Sequence, residues 1–242
     1  MSTPSRVTQH YDQKYQASNF LTVKPVPLVR RPVDRFQVAV SLASKNAGGN
    51  YLEIGAGDGS VMLGLRDCYG RMVGTDLSAV RVGQLKNLFE HDPSVAIIHN
   101  DLEQQRLPFA NEEFDTAVLI AVIEHFFDPI SALKEVHRVL RPGGRLIVDT
   151  PNIAKWTRRV KLVFGYFPST ASLDEGLLCY DKNTRTDLLD EGHLHYFTFR
   201  SLRRLALERV GFRRAEAHGY GGSALCRLWP QLFSEVAMVL YK

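Results

Sequence analysis

Hydrophobic positions fall into two alternating rhythms from residue 50 onward. Short, nearly continuous apolar runs at Tyr51–Ile54, Arg71–Thr75, Val95–His99, Thr116–Ala121 and Arg145–Thr150 read as strands covered on both faces. Between them apolar residues return at helical spacing. Val82, Leu85, Leu88 and Phe89 do so within Ser78–Glu90, where Ser78 is the expected N-cap. Ile130, Leu133, Val136, His137 and Leu140 share a face in a second helix, with Pro129 suited to its first turn. Pro142-Gly143-Gly144 ends that helix and turns the chain into the next strand. Such alternation predicts βαβ units, and hence an α/β fold around a mainly parallel sheet.

After Thr150 the rhythm breaks, and residues 151–198 read as an insertion. Within it Ile153, Trp156, Val160 and Val163 lie on one helical face, and Lys155, Arg158, Arg159 and Lys161 add positive charge before Gly165 and Pro168 stop the helix. Regularity returns with a helix at Ser201–Val210 and strands at Arg213–Ala217 and Val236–Tyr241. Residues 1–49 read as an N-terminal helical cap, in which Tyr11 and Tyr15, at i and i+4, either close over a bound ligand or simply pack. The 242 residues suit a single domain with one core.

Composition narrows the class only a little. Hydrophobic residues at 45% and charged residues at 23% are ordinary for a globular protein, which excludes a mainly disordered chain. Lys and Arg number 30 against 26 Asp and Glu, an excess that permits nucleic-acid binding without indicating it, so no nucleic-acid partner is expected. Cys68, Cys179 and Cys226 are odd in number and far apart, which gives neither a CxxC metal site nor a disulfide framework. The first ten residues lack a signal-peptide core, and the longest strongly apolar run, Ala117–Ile123, is too short to cross a bilayer. A cytoplasmic protein is expected.

Candidate chemistry begins in the loop after the first strand, Glu53-Ile-Gly55-Ala-Gly57-Asp58-Gly59. Glycines there let backbone approach a ligand closely, and dinucleotide-binding domains use a similar turn to hold a pyrophosphate. In their GxGxxG spacing the third glycine would fall on Ser60. Glu53 and Asp58 would also repel a pyrophosphate, whereas a ligand carrying an ammonium and a sulfonium welcomes them. S-adenosylmethionine therefore fits better than NAD. Asp76, ending the second strand, either faces vicinal ribose hydroxyls or caps the next helix. Asp101, ending the third strand, either meets an adenine amino group or serves its own turn.

These residues resemble the class I S-adenosylmethionine-dependent methyltransferases from about Tyr51 to Phe212, and the small-molecule type among them. The motifs are Leu52-Glu-Ile-Gly-Ala-Gly-Asp-Gly59, Val73-Gly-Thr-Asp76, Asn100-Asp-Leu-Glu103, Phe114-Asp-Thr-Ala-Val118, Ile123-Glu-His125 and Arg138-Val-Leu-Arg-Pro-Gly-Gly-Arg-Leu146. The resemblance implies a doubly wound, Rossmann-like seven-stranded sheet of order 3-2-1-4-5-7-6, with the last strand antiparallel and the insertion after strand 5. It implies a cofactor set in which Glu53, Gly55 and Gly57 face the methionine part, Asp76 the ribose, Asp101 and Leu102 the adenine, and Ala121 the amino group, with Leu77 beside them. No Asn-Pro-Pro-Tyr or Asp-Pro-Pro-Tyr follows the fourth strand, which argues against the adenine-base methyltransferases.

The acceptor implied is a small molecule, a hydroxyl of a sugar, quinone or natural-product precursor. A hydroxyl acceptor calls for a base, and His125, His193 and His195 are the candidates. Glu191, His193 and His195 alternate and so share one side of an extended segment, but that spacing alone does not make a metal site, and no metal is expected. Glu124, Trp156, Glu191 and Tyr196 join Tyr11 and Tyr15 as candidate acceptor or lid residues. The basic helix around Trp156 and the apolar stretch Leu225, Leu228, Trp229, Leu232 and Phe233 read as a lid or homodimer face in preference to a peripheral membrane contact. Two rivals remain at this level: an NAD-dependent oxidoreductase, and a protein that binds S-adenosylmethionine without turning it over.

Overall fold

A computed structural model describes Thr8, Asp12, Gln16 and residues 23–170 and 193–242. Tyr11, Tyr15 and Glu191 lie outside the described residues. The strands are β1 (Asn50–Ile54), β2 (Arg71–Asp76), β3 (Val95–His99), β4 (Phe114–Ile120), β5 (Leu140–Thr150), β6 (Arg214–His218) and β7 (Val236–Tyr241). They form one sheet in the order β3-β2-β1-β4-β5-β7-β6. The first five run parallel, and β7 is antiparallel to both β5 and β6. This is the Rossmann-like arrangement that the motifs imply.

Successive side chains of each strand point to opposite faces, and each face has its own core. On one side Leu52, Ile54, Leu119, Val148 and Met238 pack with α4 (Pro129–Val139) and α6 (Phe199–Arg204). On the other, Tyr51, Met72, Val118, Ile147 and Val239 pack with α1 (Arg35–Ala43), α2 (Ser60–Gly64) and α3 (Ala79–Leu88). Each such side chain contributes about 1.5–3 kcal/mol when fully buried. A register slip of one residue would exchange the two faces, so burial on both sides fixes the register. Part of the segment expected as an N-terminal cap is therefore a sheet-covering helix: α1 buries Val38, Ala39, Val40, Leu42 and Ala43.

Helix starts follow their capping chemistry. Asp128 accepts from the backbone N–H groups of Ile130 and Ser131 with Pro129 in the first turn, so α4 begins one residue earlier than periodicity indicates. It ends at Val139, because Leu140 already pairs with Phe114 across a bulge and belongs to β5. The Thr198 hydroxyl accepts from Ser201 N in a capping box, which moves the start of α6 back to Phe199; a π-helical turn, Leu205–Val210, completes it.

The largest correction concerns the insertion helix α5 (Trp156–Val163). Hydropathy places Ile153, Trp156, Val160 and Val163 inward and the basic residues outward. Instead Val163 is 81% exposed and Trp156 38%, while Arg158 is 2% exposed. Its guanidinium donates to the carboxylate of Glu235 and to the carbonyl of Asn152 at 2.8 Å each, so an ion pair, not an apolar stripe, docks this helix. Lys155 joins the same carboxylate at 2.8 Å. Two short helices, α7 (Ala224–Leu228) and α8 (Pro230–Phe233), precede β7 and leave Leu228 and Trp229 exposed. Among the described residues no helix is long and apolar enough to cross a membrane.

Candidate active site at the carboxyl edge of the sheet

The loops after β1, β2, β3 and β4 open at one edge of the sheet, where open α/β folds bind ligands. Gly55, Gly57 and Gly59 all have left-handed backbone, with φ of 72°, 55° and 80°. A Cβ on Gly55 would lie 2.5 Å from Val122 Cγ2, so this glycine serves both the turn and its contact with the loop after β4. Gly55 N and Ala56 N both donate to the carbonyl of Thr75, tying the loop to β2.

Glu53 is buried in β1 and accepts a hydrogen bond of 2.8 Å from the hydroxyl of Tyr51. Burial pushes its carboxyl up to about 8; the Tyr51 bond opposes this, and the negative Asp58 and Asp76 add to it. A cationic amine would relieve that penalty, which is the chemistry required to hold the ammonium of S-adenosylmethionine. Tyr51 was not singled out in the sequence, although its position two residues before Glu53 on one strand puts both side chains on the same face.

Asp76 does not cap α3. Ser78 does, its hydroxyl accepting from Arg81 N. Asp76 instead bridges two loops, one oxygen accepting from Ser78 N at 2.9 Å and the other from Gly57 N at 3.2 Å. Burial raises its pKa, and those two amides hold it down in part. Asp12 reaches the same corner, accepting from the Ser78 hydroxyl at 2.5 Å. Leu77 follows, its carbonyl 2.9 Å from His99 Nε2.

Asp101 spends its carboxylate on its own turn, accepting from Glu103 N and Gln104 Nε2. Leu102 lines a shallow pocket with Glu103, Phe127, Asp128 and Ser131. Ala121 was expected as the last residue of its strand. It lies beyond β4 with φ 52°, a left-handed conformation that costs an alanine about 1–2 kcal/mol, and its N–H donates to the carbonyl of Asp149. Backbone strain of this kind clusters at functional sites.

Beyond Ala121 the chain makes a 3₁₀ turn, Ile123–His125, that buries Glu124 to 1% exposure. Glu124 accepts from the Thr150 hydroxyl at 2.9 Å, and burial lifts its pKa to about 7 against that bond and the nearby Arg35. Leu194 N and His195 N both donate to the Glu124 carbonyl, which draws the segment from His193 over this turn. The His125 and His193 rings meet edge to face at 4.8 Å. His193 Nδ1 lies 2.6 Å from the Thr170 hydroxyl, and His195 Nε2 3.2 Å from the carbonyl of Phe127.

Alternation does sort this segment: His193, His195 and Phe197 turn inward, and Leu194 and Tyr196 are 56% and 44% exposed. The titratable cluster it builds differs from the one that spacing indicates. Glu124, His125 and His193 each place one donor atom within 4.8 Å of the others, while His195 turns to Phe127. Trp156 lies on the partly exposed side of α5.

A family model described as "Methyltransferase domain" matches residues 28–217, and the chain belongs to that family. A curated relative from Mycolicibacterium smegmatis, "Probable S-adenosylmethionine-dependent methyltransferase", is 36% identical over 111 residues, covering 46% of this chain and 41% of the relative. A tRNA U34 carboxymethyltransferase from Aliarcobacter butzleri is 31% identical over 99 residues, covering 40% of this chain and 32% of its own. The chain thus spans less than half the length of these relatives. Among solved structures, a SAM-dependent methyltransferase from Aquifex aeolicus superposes with a TM-score of 0.55 at 13% identity, over 84% of this chain and 87% of that one, a likeness of fold.

Proposed function

We propose that this chain binds S-adenosylmethionine along the ends of β1 to β4 and methylates a hydroxyl oxygen of a small molecule: a sugar, a quinone or a natural-product precursor. The observation that carries the reading is the buried Glu53 beside the left-handed glycine loop. Its neighbouring charges are negative, and the loop offers no counter-charge for a pyrophosphate. Glu53, Gly55 and Gly57 hold the methionine part, Asp76 and Leu77 the ribose, Leu102 and Asp101 the adenine, and the Ala121 backbone the amino group. The family match across residues 28–217 supports the same assignment.

Bound there, the cofactor supplies an electrophilic methyl that an acceptor oxygen takes as the carbon–sulfur bond breaks, leaving S-adenosylhomocysteine. The protein's work is alignment and exclusion of water. The turn at Glu124 and the overlying segment from His193 to Tyr196 shape the acceptor side, and the Glu124, His125 and His193 cluster promotes loss of the hydroxyl's proton. We read the chain as one domain in which residues 50–150 form the cofactor core and residues 151–198 the acceptor side.

Mass spectrometry of ligand released from purified protein, followed by S-adenosylhomocysteine release over panels of sugars, quinones and phenols, tests the reading. S-adenosylmethionine or its product in the released fraction, with turnover on a hydroxyl acceptor, is expected. NAD in that fraction would overturn the donor. Tight binding with no methyl transfer to any acceptor class would leave a binding protein.

A further inference from the structure

The geometry assigns a divalent transition-metal site to Glu124, His125 and His193, which the 3₁₀ turn after β4 and the segment beginning at His193 bring together. Two imidazoles and one carboxylate form a ligand set that suits ions such as Zn²⁺, Mn²⁺, Co²⁺ or Fe²⁺ and leaves coordination positions open. One donor atom from each residue lies within 4.8 Å of the others. Donor atoms on one ion with bonds of about 2.1 Å stand about 3.0–3.4 Å apart in octahedral cis or tetrahedral geometry, so ion binding asks the widest pair to close by up to about 1.5 Å.

Two observations point to a ligand beyond the clustering itself. Glu124 is 1% exposed, and its Oε1 is buried with no hydrogen-bond partner among the described residues, although the other oxygen is held by Thr150. A carboxylate oxygen buried in this way beside two histidines is a costly arrangement that a cation would stabilise. Two of the three groups also have the support usual for metal ligands, in which a partner fixes another atom of the ligating side chain. The Thr170 hydroxyl lies 2.6 Å from His193 Nδ1, and Thr150 fixes Glu124 Oε2 in the same way.

The ion site stands on its own geometry. Its part in catalysis rests on the methyl-transfer reading: an acceptor hydroxyl entering an open position would lose its proton to water more readily and present its oxygen in a fixed place. The nearby His195 bonds the Phe127 carbonyl and is no member of the ligand set.

Titration of Co²⁺ into chelator-treated protein, followed by visible absorption, tests the site directly, with S-adenosylhomocysteine calorimetry on the same samples. One Co²⁺ per chain is expected, with a spectrum distinct from the aqueous ion. His193→Ala and His125→Ala should each weaken binding at least about tenfold, while His195→Ala leaves it within about twofold. Retained S-adenosylhomocysteine binding shows that the variants are folded. A Co²⁺ spectrum that stays that of the aqueous ion, or equal binding by wild type and His193→Ala, would overturn the site and leave the cofactor assignment intact. Co²⁺ binding without S-adenosylhomocysteine binding would instead overturn the methyl-transfer reading and keep the site.

Discussion

Arg158 and Glu235 face each other at 2.8 Å in the interior, 2% and 7% exposed, and join the insertion to the residue that leads into β7. Glu235 also accepts from Asn152 N at 2.5 Å and pairs with Lys155. Burial alone would raise its pKa, but Arg158 and Lys155 hold it down at about 2. Removing one member of a buried pair strands the other charge, so Arg158→Ala should lose about 3–5 kcal/mol in urea unfolding. The depressed pKa also sets a pH window. This contribution is complete above the ordinary carboxylate value of about 4.3 and fades as pH falls below it toward 2. Acid titration of Glu235→Gln should lack that component, and an unchanged acid transition would show that the pair does not act in this way.

Gly55 is held on two counts: φ of 72°, and a Cβ that would stand 2.5 Å from Val122. Gly55→Ala must move either the glycine loop or the turn that carries Ala121 and Glu124. The cost should be about 1–3 kcal/mol in stability, with at least a tenfold loss of S-adenosylhomocysteine affinity by calorimetry. Wild-type affinity in this variant would place the cofactor elsewhere.

The left-handed Ala121 makes a prediction of opposite sign. An Ala→Gly change in regular structure costs about 0.5–1 kcal/mol, whereas relief of φ 52° returns about 1–2 kcal/mol. Ala121→Gly should therefore be neutral, or about 1 kcal/mol more stable in urea. A loss of 1 kcal/mol would mean that the alanine methyl packs usefully enough to outweigh the strain.

Much of this molecule was legible because its information is local. The strand rhythm and β7, Val236–Tyr241, follow from runs that are apolar on both faces. The acidic residues at successive strand ends are placed by strand position alone. What escaped depends on partners distant in sequence. Hydropathy puts arginine outside, so Arg158 was misplaced; its partner Glu235 stands 77 residues away, beyond any periodicity. Likewise His193 meets His125 only because Leu194 and His195 donate to the Glu124 carbonyl. Tyr51 is different, for the period of two along β1 would have found it beside Glu53. Local pattern therefore brought out the glycine loop and the acidic strand ends, and left the cluster at Glu124 to tertiary contacts.

If Glu53 holds the methionine part of the cofactor as proposed, binding acquires a pH dependence of its own. Its carboxyl, at about 8 in the folded protein, faces Tyr51, Asp58 and Asp76. The raised value means that the folded chain keeps a proton that the unfolded chain releases near 4.3, so stability declines as pH rises from that value to about 8. Ligand binding runs the other way. An ammonium group prefers the carboxylate, so S-adenosylhomocysteine affinity should climb with pH, by up to about tenfold per unit, and level off above about 8. Binding should also release a proton, readable from the buffer dependence of the calorimetric heat. Glu53→Gln keeps the shape and the Tyr51 contact but cannot ionise, so it should bind more weakly and lose this slope. Asp149, also pushed up to about 8 by burial, is untouched by that substitution, and a slope that survives in Glu53→Gln would point to Asp149 instead.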